Sequence, residues 1–289
     1  MMTRRAVIAA MVTTVVGLWF TSGPAGAVTI DADVVYGHKD GLALTYDVYR
    51  PDEPNGAALL FMVSGGWYSG WQPPERALPM FAPLTDRGFT VIAVRHGSSP
   101  RYGIADAVAD VRRSVRHVRS SAQDLGIDSD RIGVFGMSAG GHLSLMLGTT
   151  GDDGKAAAKD PLDRVSDRVQ AVCAWVAPSD LRGVAWSDPD HHKQYEQFPA
   201  LDIDQEAAAT LSPLLAVSAD DAPTLLIAGD KDELVPIAHS EWIHDAFDEK
   251  GVANKFVAIE GAGHGFGGAD LARAVGEMVE WFESHLAAK

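Results

Sequence analysis

Short apolar runs alternate along this chain with longer amphipathic segments. The runs at 57–63, 89–94 and 132–135 hold almost no polar side chain, which is typical of strands buried on both faces of a parallel sheet. Further strands are predicted at 169–176, 223–228 and 255–259. Helices are predicted at 74–87, 104–125, 139–148, 237–250 and 269–286. The alternation predicts an α/β fold, with a mostly parallel central sheet and helices on both faces.

The start of the domain has a different pattern. Residues 28–36 and 42–49 alternate polar and apolar side chains and are separated by the turn segment 38–41, so an antiparallel pair is predicted there. Two later regions, 151–168 and 180–222, interrupt the alternation of strands and helices. The second could be an inserted loop or a small lid over the carboxyl ends of the strands, where such sheets bind ligands.

The helix predicted at 104–125 has apolar residues at helical spacing and four arginines on its other faces. We interpret these arginines as a solvated, ion-paired face rather than a binding patch. They are Arg112, Arg113, Arg116 and Arg119. The single cysteine, Cys173, lies in a predicted strand and is expected to be a small core residue.

The first 27 residues are typical of a secretory signal peptide. Arg4 and Arg5 precede an apolar run at 6–20, and Ala25-Gly26-Ala27 forms a small-residue cleavage site. A membrane anchor is the alternative, but the run is shorter than the roughly 20 apolar residues that a span needs. We therefore predict cleavage after Ala27, a secreted or periplasmic protein, and one catalytic domain at 28–289. The residues after the arginines do not decide between the Sec and twin-arginine routes.

The charge of the chain limits its partners. The net charge is −15, and it becomes −17 once Arg4 and Arg5 are removed. Such an acidic surface argues against nucleic acids and anionic membranes as partners, and it favours neutral or weakly charged substrates. No stable membrane insertion is expected after cleavage.

One heptapeptide, residues 136–142, carries the clearest chemical signal. A Gly-flanked serine, Ser138, follows the strand at 132–135 and precedes a predicted helix. This arrangement is typical of a nucleophile elbow, in which a sharp turn holds a hydroxyl above the sheet. The glycines allow the turn to close, and the N–H of Ala139 at the helix start can face a developing negative charge.

A serine nucleophile needs a base, and the base needs an orienting acid. In this architecture the acid follows the serine in the chain and the histidine comes last. Asp232 follows the strand at 223–228, and His264 lies between glycines after the strand at 255–259. We predict Asp232 as the acid, with Asp230 shaping the loop and Asp180 as a remote alternative. His264 is the predicted base.

Other histidines are expected to play lesser roles. His142 lies one turn into the helix after the elbow and is predicted to pack or to support the site. His191 and His192 suggest a metal, but no further ligands complete a set, so no metal site and no cofactor is predicted.

The segment 64–71 is the candidate second half of an oxyanion hole, because it follows a central strand and is rich in glycine. We expect one donor from Gly66 or Trp67 and the other from Ala139. Trp67, Tyr68 and Trp71 could be structural packing or an aromatic wall for the substrate.

These segments together resemble the α/β-hydrolase fold. Within it they resemble the small carboxylesterases related to hormone-sensitive lipase and the feruloyl and acetyl xylan esterases. The segment 136–141 is similar to that group's Gly-x-Ser-Ala-Gly-Gly, 229–236 to its acid loop, and 263–266 to its histidine loop. The resemblance covers nearly all of 34–286. One position departs from it: Ser64 stands where the family's oxyanion motif usually has a histidine. That histidine usually braces the loop and does not donate to the oxyanion, so catalysis is expected to survive its replacement.

The resemblance implies a secreted serine carboxylic-ester hydrolase that works through an acyl-enzyme. Ser138 would attack, His264 would move the proton, and Asp232 would hold the imidazole. Expected substrates are short-chain or cell-wall esters, acetyl or feruloyl, either small or linked to a polysaccharide. Two alternatives remain: a serine peptidase of the prolyl oligopeptidase type, and a catalytically silent hydrolase-fold protein that binds a ligand.

Overall fold

The computed structural model describes residues 27–182, 195 and 197–288. Most of the predicted signal peptide therefore lies outside the described residues. So does part of the predicted lid, at 183–194 and 196, with His191 and His192. Within the described residues, no helix is both long enough and apolar enough to span a bilayer.

The described elements alternate as the hydrophobic pattern predicts. The strands are β1 (Val28–Lys39), β2 (Leu42–Pro51), β3 (Ala58–Met62), β4 (Thr90–Val94), β5 (Ile132–Met137), β6 (Ala171–Trp175), β7 (Thr224–Gly229) and β8 (Asn254–Ile259). The α-helices are α1 (Leu78–Thr85), α2 (Ile104–Ser120), α3 (Ala122–Leu125), α4 (Ala139–Thr150), α5 (Gln205–Thr210), α6 (Pro213–Ala216), α7 (Ala238–Lys250) and α8 (Gly268–His285). Short 3-10 helices span Pro74–Ala77, Pro161–Arg164 and Pro199–Leu201.

The eight strands form one sheet in the order β1-β2-β4-β3-β5-β6-β7-β8. The pairs β1–β2 and β2–β4 are antiparallel, and every pairing from β4 through β3 to β8 is parallel. Parallel strands end at the same edge, so the loops after β3, β5, β7 and β8 meet there. The predicted mostly parallel sheet is confirmed.

Two apolar layers enclose the sheet, because successive strand residues face opposite sides. In β3, Leu60 and Met62 belong to the layer that contains side chains of α2, α4 and α7. Leu59 belongs to the opposite layer, with side chains of α1 and α8. Cys173 in β6 is fully buried in this second layer, as predicted for a core residue.

Two predicted helices are each divided in the structure. The segment predicted at 74–87 begins as a 3-10 helix, continues as α1 and ends at Thr85. The segment predicted at 104–125 is interrupted at Ser121, which separates α2 from α3. Gly126 then ends α3 with a φ of 68°, a left-handed conformation that favours glycine.

Three of the four arginines of α2, at positions 112, 113 and 116, form the predicted ion pairs, but the predicted exposure is wrong. Arg112 and Arg116 each lie 2.9 Å from Asp167, whose carboxylate is fully buried, and Arg116 is 2.6 Å from Asp152. Arg119 donates to three backbone carbonyls, two of them in the segment 151–168. That segment covers the arginine face of α2, and Arg116 is therefore buried.

The helix after the elbow approaches the sheet closely. A Cβ on Gly140 would lie 2.5 Å from the carbonyl oxygen of Met62, a backbone atom of β3 that cannot rotate away. A Cβ on Gly136 would collide with the backbone of Gly140. The two glycines therefore do the steric work predicted for them, and the sharp turn at residue 138 depends on both.

Two histidines are buried on the α4 side of the sheet. His142 accepts a hydrogen bond from Trp67 Nε1 at Nδ1 (3.2 Å) and donates from Nε2 to the carbonyl of Leu211 (2.8 Å). His239 accepts the backbone N–H groups of residues 179 and 180 at Nδ1. Burial lowers the pKa of each imidazole to about 4. Both rings are therefore neutral near pH 7, and the predicted packing role of His142 is confirmed.

Replacing Gly140 with alanine should destabilise the fold, because the added methyl group meets a fixed backbone oxygen. We expect Gly140→Ala to lower the free energy of unfolding by about 1–3 kcal/mol, the usual cost of overpacking. The matched control is Gly276→Ala on α8, where an added Cβ has no heavy atom within 4 Å. It should raise stability by about 0.5–1 kcal/mol. Urea unfolding of both variants tests this, and equal changes would contradict it.

Acidification should destabilise the protein before most carboxylates titrate. Between pH 6.5 and about 4 the unfolded chain binds protons at residues 142 and 239 that the folded chain does not bind. The free energy of unfolding should therefore fall as the pH is lowered through this window, by at most about 1.4 kcal/mol per pH unit for each histidine. Urea unfolding at pH 6.5 and pH 5 measures the slope.

Two variants identify the groups responsible for that slope. His142→Gln removes one buried imidazole and can keep both hydrogen bonds, so the slope should decrease. His38→Gln removes an exposed imidazole and should leave it unchanged. A stability that does not change over this range would contradict the assignment of neutral buried rings.

Candidate active site

Ser138 lies at the point where β5 ends and α4 begins. Its φ of 53° and ψ of −120° are strained for a residue with a side chain. The surrounding hydrogen bonds hold this conformation: the Ser138 N–H donates to the Trp175 carbonyl (2.8 Å), and the Ser138 carbonyl accepts from His142 N (2.9 Å). The residue is thus presented at the carboxyl edge of the sheet, in the geometry of a nucleophile elbow.

Asp232 and His264 are joined by a short hydrogen bond. The Asp232 side chain is fully buried, and its Oδ1 accepts the N–H groups of Leu234 (2.9 Å) and Val235 (2.8 Å). Its Oδ2 lies 2.8 Å from His264 Nδ1. Since a carboxylate only accepts, Nδ1 carries the proton and donates it, which leaves the lone pair of Nε2 available as a base.

The loops that carry these two residues are tied together. Asp230 Oδ1 accepts the N–H of Gly261 (2.6 Å), and Lys231 N donates to the carbonyl of Ala262 (2.9 Å). Asp230 therefore shapes the loop, as predicted. Asp180, the remote alternative for the acid, is paired with Arg182.

The predicted oxyanion loop forms a tight turn. Gly65 and Tyr68 exchange two backbone hydrogen bonds of 2.9 Å each, and both residues between them have positive φ, 56° at Gly66 and 57° at Trp67. Both angles fall in the range of a type I′ turn. Within the described part of the chain, the N–H groups of Gly66, Trp67 and Ala139 have no acceptor.

His96 supports this loop and was not predicted from the sequence. Its Nδ1 donates to the carbonyl of Gly97 (2.8 Å), so its Nε2 accepts from the hydroxyl of Ser64 (2.9 Å). Burial lowers the pKa of His96, which favours the neutral ring that this arrangement needs. A sequence signal existed, because His96 follows the strand at 89–94 and so belongs at the same edge as Ser64.

Two serines add further contacts between these loops. The hydroxyl of Ser98 accepts the N–H of Ser69 (2.7 Å) and donates to its carbonyl (2.6 Å). The N–H of Ser99 also donates to the carbonyl of Trp67 (3.1 Å). Together with the bond from Ser64 to His96, these contacts fix the oxyanion loop against the segment that follows β4.

The three aromatic residues of the loop lie in different places. Trp67 is buried, and its Nε1 donates to His142. Tyr68 is 44% exposed and lines the large cavity described below. Trp71 is 60% exposed and is not among the described residues that line this cavity.

Two cavities meet at Ser138 and have very different sizes. The small cavity has a volume of about 30 Å³ and the large one about 750 Å³. Gly66, Phe198 and Leu234 line both, and His264 lines the large one. A Cβ on Gly66 would collide with the Phe198 ring, so the glycine allows this side chain to pack over the turn.

The large cavity is mostly apolar and holds one buried ion pair. Arg95 donates to both oxygens of the buried Asp47 carboxylate, at 2.5 and 2.9 Å, so the charges of the pair offset each other. Lys231 and Glu233 line it as exposed side chains. Among the described residues, no group of three or more His, Cys, Asp or Glu side chains is placed to hold a metal ion.

Comparison with known proteins identifies the family of this chain. The BD-FAE family model matches residues 46–247, which is more than half of the chain. The probable carboxylic ester hydrolase LipM of Mycobacterium tuberculosis is 28% identical over 224 residues, covering 74% of this chain and 51% of LipM. The chain therefore spans about half the length of that relative. Ethyl acetate hydrolase of Pseudomonas putida is 29% identical over 251 residues, covering 79% of this chain and 73% of that enzyme.

Solved structures of esterases share this fold. A truncated carbohydrate esterase from gut microbiota superposes with a TM-score of 0.74 at 26% identity, covering 91% of this chain and 98% of that one. The sheet order, the elbow and the loops after β7 and β8 are arranged as this fold requires. The chain has the α/β-hydrolase fold and belongs to the BD-FAE family.

Proposed function

We propose that this protein is a serine carboxylic-ester hydrolase with Ser138, His264 and Asp232 as its catalytic triad. The observation that carries the proposal is the 2.8 Å bond between His264 Nδ1 and the buried Asp232, on a cavity that Ser138 also lines. The family and the names of its relatives, esterases among them, support the same reaction class.

The reaction proceeds through an acyl-enzyme. Ser138 Oγ attacks the ester carbonyl while His264 Nε2 takes its proton, and Asp232 stabilises the imidazolium that forms. The bond from carbon to the alkoxy oxygen then breaks, and the imidazolium returns the proton to that oxygen. Water repeats the sequence and releases the carboxylic acid. The burial of Asp232 and its two backbone donors keep the carboxylate oriented throughout.

The developing oxyanion is held by backbone amides. Ala139 N lies at the start of α4, and the amides of Gly66 and Trp67 lie in the turn after β3, the strand that pairs with β5. Among the described residues these amides have no acceptor. Each such donor is worth roughly 2.7–4 kcal/mol of transition-state stabilisation. The family usually has a histidine at position 64 that braces the oxyanion loop. Here Ser64 takes that position, and its hydrogen bond to His96 braces the loop instead.

We further propose that the substrates are short-chain esters or acetyl or feruloyl esters of cell-wall material, either small or linked to a polysaccharide. The acidic net charge of −15 and the mostly apolar cavity favour such neutral compounds. Export through the signal peptide at 1–27 would bring the protein to such material, and N-terminal sequencing of the exported protein tests cleavage after Ala27.

Loss of the nucleophile should abolish the activity. Ser138→Ala should lower kcat for p-nitrophenyl acetate by about 10⁴-fold or more and should stop labelling by a fluorophosphonate. The control Ser120→Ala removes an exposed hydroxyl on α2 and should change neither. Unchanged turnover in Ser138→Ala would remove this residue from the mechanism.

Assays with dipeptide amides beside the ester and fluorophosphonate assays separate the alternatives. A wild-type protein that cleaves dipeptide amides faster than esters would be a peptidase of the prolyl oligopeptidase type. A folded wild-type protein that reacts with neither the esters nor the fluorophosphonate would be a binding protein on a hydrolase fold.

The hydrogen bond between Ser64 and His96 holds the oxyanion loop, so its loss should affect the chemical step more than substrate binding. We expect Ser64→Ala to lower kcat about tenfold or more with little change in KM, because the loop loses its bond to His96 while the large cavity, which Ser64 also lines, loses only one hydroxyl from its wall. Ser64→Thr keeps the hydroxyl and should restore most of the rate. Ser284→Ala, on the exposed side of α8, is the control. A rise in KM alone would show that Ser64 only shapes the cavity.

A further inference from the structure

We propose that His142 is a positioning residue, which holds the oxyanion loop in place against the helix of the nucleophile elbow through the side chain of Trp67. His142 is fully buried, so it acts without touching the substrate. The inference rests on the proposed function, since it assumes that Ser138 attacks and that backbone amides receive the oxyanion. It adds a residue that belongs neither to the triad nor to the oxyanion hole.

The two halves of the proposed oxyanion hole lie on separate elements. The amide of Ala139 belongs to α4, whereas those of Gly66 and Trp67 belong to the turn after β3. Both halves must point at the same oxygen atom, because each donor has to lie about 2.7–3.1 Å from the position of the oxyanion. Catalysis therefore requires a fixed distance between the turn and α4, which the bond between Asp232 and His264 does not set.

One side-chain hydrogen bond joins these two elements. Trp67 Nε1 donates to His142 Nδ1 (3.2 Å), and the two rings meet edge to face with their centroids 5.4 Å apart. The exposed fraction is 4% for Trp67 and 0% for His142, so water does not compete for the bond. Within the described part of the chain, no other hydrogen bond joins the segment 64–71 to α4.

The second ring nitrogen of His142 prepares the first one to accept. Nε2 lies 2.8 Å from the carbonyl oxygen of Leu211, which can only accept, so Nε2 carries the proton. Nδ1 then keeps the lone pair that the N–H of Trp67 needs. Burial lowers the pKa of this imidazole to about 4, which maintains the neutral form near pH 7. The ring is therefore held in the state that can bind Trp67.

The backbone of His142 belongs to the same rigid turn as the nucleophile. Its N–H donates to the carbonyl of Ser138 (2.9 Å), in the first turn of α4, where Ala139 also lies. Gly140 holds this turn close to the backbone of β3. The imidazole thus extends from the helical turn that presents both the hydroxyl and the first amide.

The other contacts of the oxyanion loop lie on its opposite side. The sheet order places β3 between β4 and β5. The bonds of Ser64, Ser69 and the Trp67 carbonyl all go to the segment that follows β4. His142, in the helix that follows β5, supplies the contact on the side of the elbow. Trp67 has a φ of 57°, which is strained for a residue with a side chain, so a fixed side chain helps to maintain the turn.

Removing the acceptor should slow the chemical step. We expect His142→Leu to lower kcat for p-nitrophenyl acetate about 10- to 100-fold, because the turn is no longer held at the right distance from α4. KM should stay within about twofold, since His142 lines neither cavity. His142→Gln can keep the acceptor and should restore most of the rate. Rates are counted per site that a fluorophosphonate labels at completion, so misfolded protein does not contribute.

A trifluoromethyl ketone reports the oxyanion hole without turnover. Ser138 Oγ bonds to the carbonyl carbon, the carbonyl electron pair moves to the oxygen, and the serine proton passes to His264. The adduct therefore carries an oxyanion and has no leaving group. For 1,1,1-trifluorooctan-2-one, the inhibition constant of His142→Leu should rise by the same factor by which kcat/KM falls. A loss of folded protein alone would not change this constant.

The other end of the bond gives an independent test. Trp67→Phe removes the donor and should also lower kcat about 10- to 100-fold. The double variant, which combines it with His142→Leu, should be no slower than the slower single variant, because both changes break the same bond. Losses that multiply would show that the two residues act separately, and this would overturn the inference. If His142→Leu does not fold, Trp67→Phe and its inhibition constant decide the question.

The matched control is another histidine that bonds to an aromatic side chain. His117 on α2 is hydrogen-bonded to the hydroxyl of Tyr46 (3.0 Å) and lines neither cavity. His117→Leu should leave kcat per labelled site unchanged. An equal loss in this control, or unchanged kcat and inhibition constant in His142→Leu, would overturn the inference and leave the esterase intact. A wild-type protein that hydrolyses no ester would instead contradict the proposed function.

Discussion

Parallel hydrogen bonding among β3, β5, β6, β7 and β8 fixes where every candidate catalytic group lies. These strands end at one edge, so residues far apart in the chain meet there without any direct sequence relation. The elbow serine follows β5, the acid follows β7 and the histidine follows β8. The oxyanion loop follows β3, next to β5 in the sheet. The site therefore depends on the register of the sheet more than on any single loop.

Much of this arrangement is readable from the sequence because each part leaves a local signal. Buried strands are continuously apolar, the elbow has glycines at fixed positions, and the acid and histidine loops directly follow strands. The loop role of Asp230 is predicted from its place after a strand, where an aspartate can bond to backbone N–H groups. The N–H that it accepts belongs to Gly261 in the loop after β8, not to a neighbour in its own loop. The bond between Asp232 and His264 joins residues that are 32 positions apart, and only the common sheet edge predicts it.

What the sequence did not predict depends on contacts between distant segments. The arginine face of α2 has the pattern of an exposed surface, and only the packing of 151–168 over it buries Arg116. His96 has no motif around it, and its role in supporting the oxyanion loop depends on the position of Ser64 at the same sheet edge. Trp67 and Trp71 lie in the same aromatic segment, but Trp67 is buried against His142 of α4 and Trp71 is exposed, a difference that the sequence does not show. Cavity volumes likewise result from many side chains at once and have no sequence signature.

The packing of Phe198 over Gly66 has a consequence for how this protein can change over time. The reacting groups and the amides come from loops fixed by the sheet, whereas a wall of the small cavity comes from 198–201, beyond the strands. Substitutions in that short helix would change the wall of the cavity beside Ser138 without changing the strands and loops that position Ser138, Asp232 and His264.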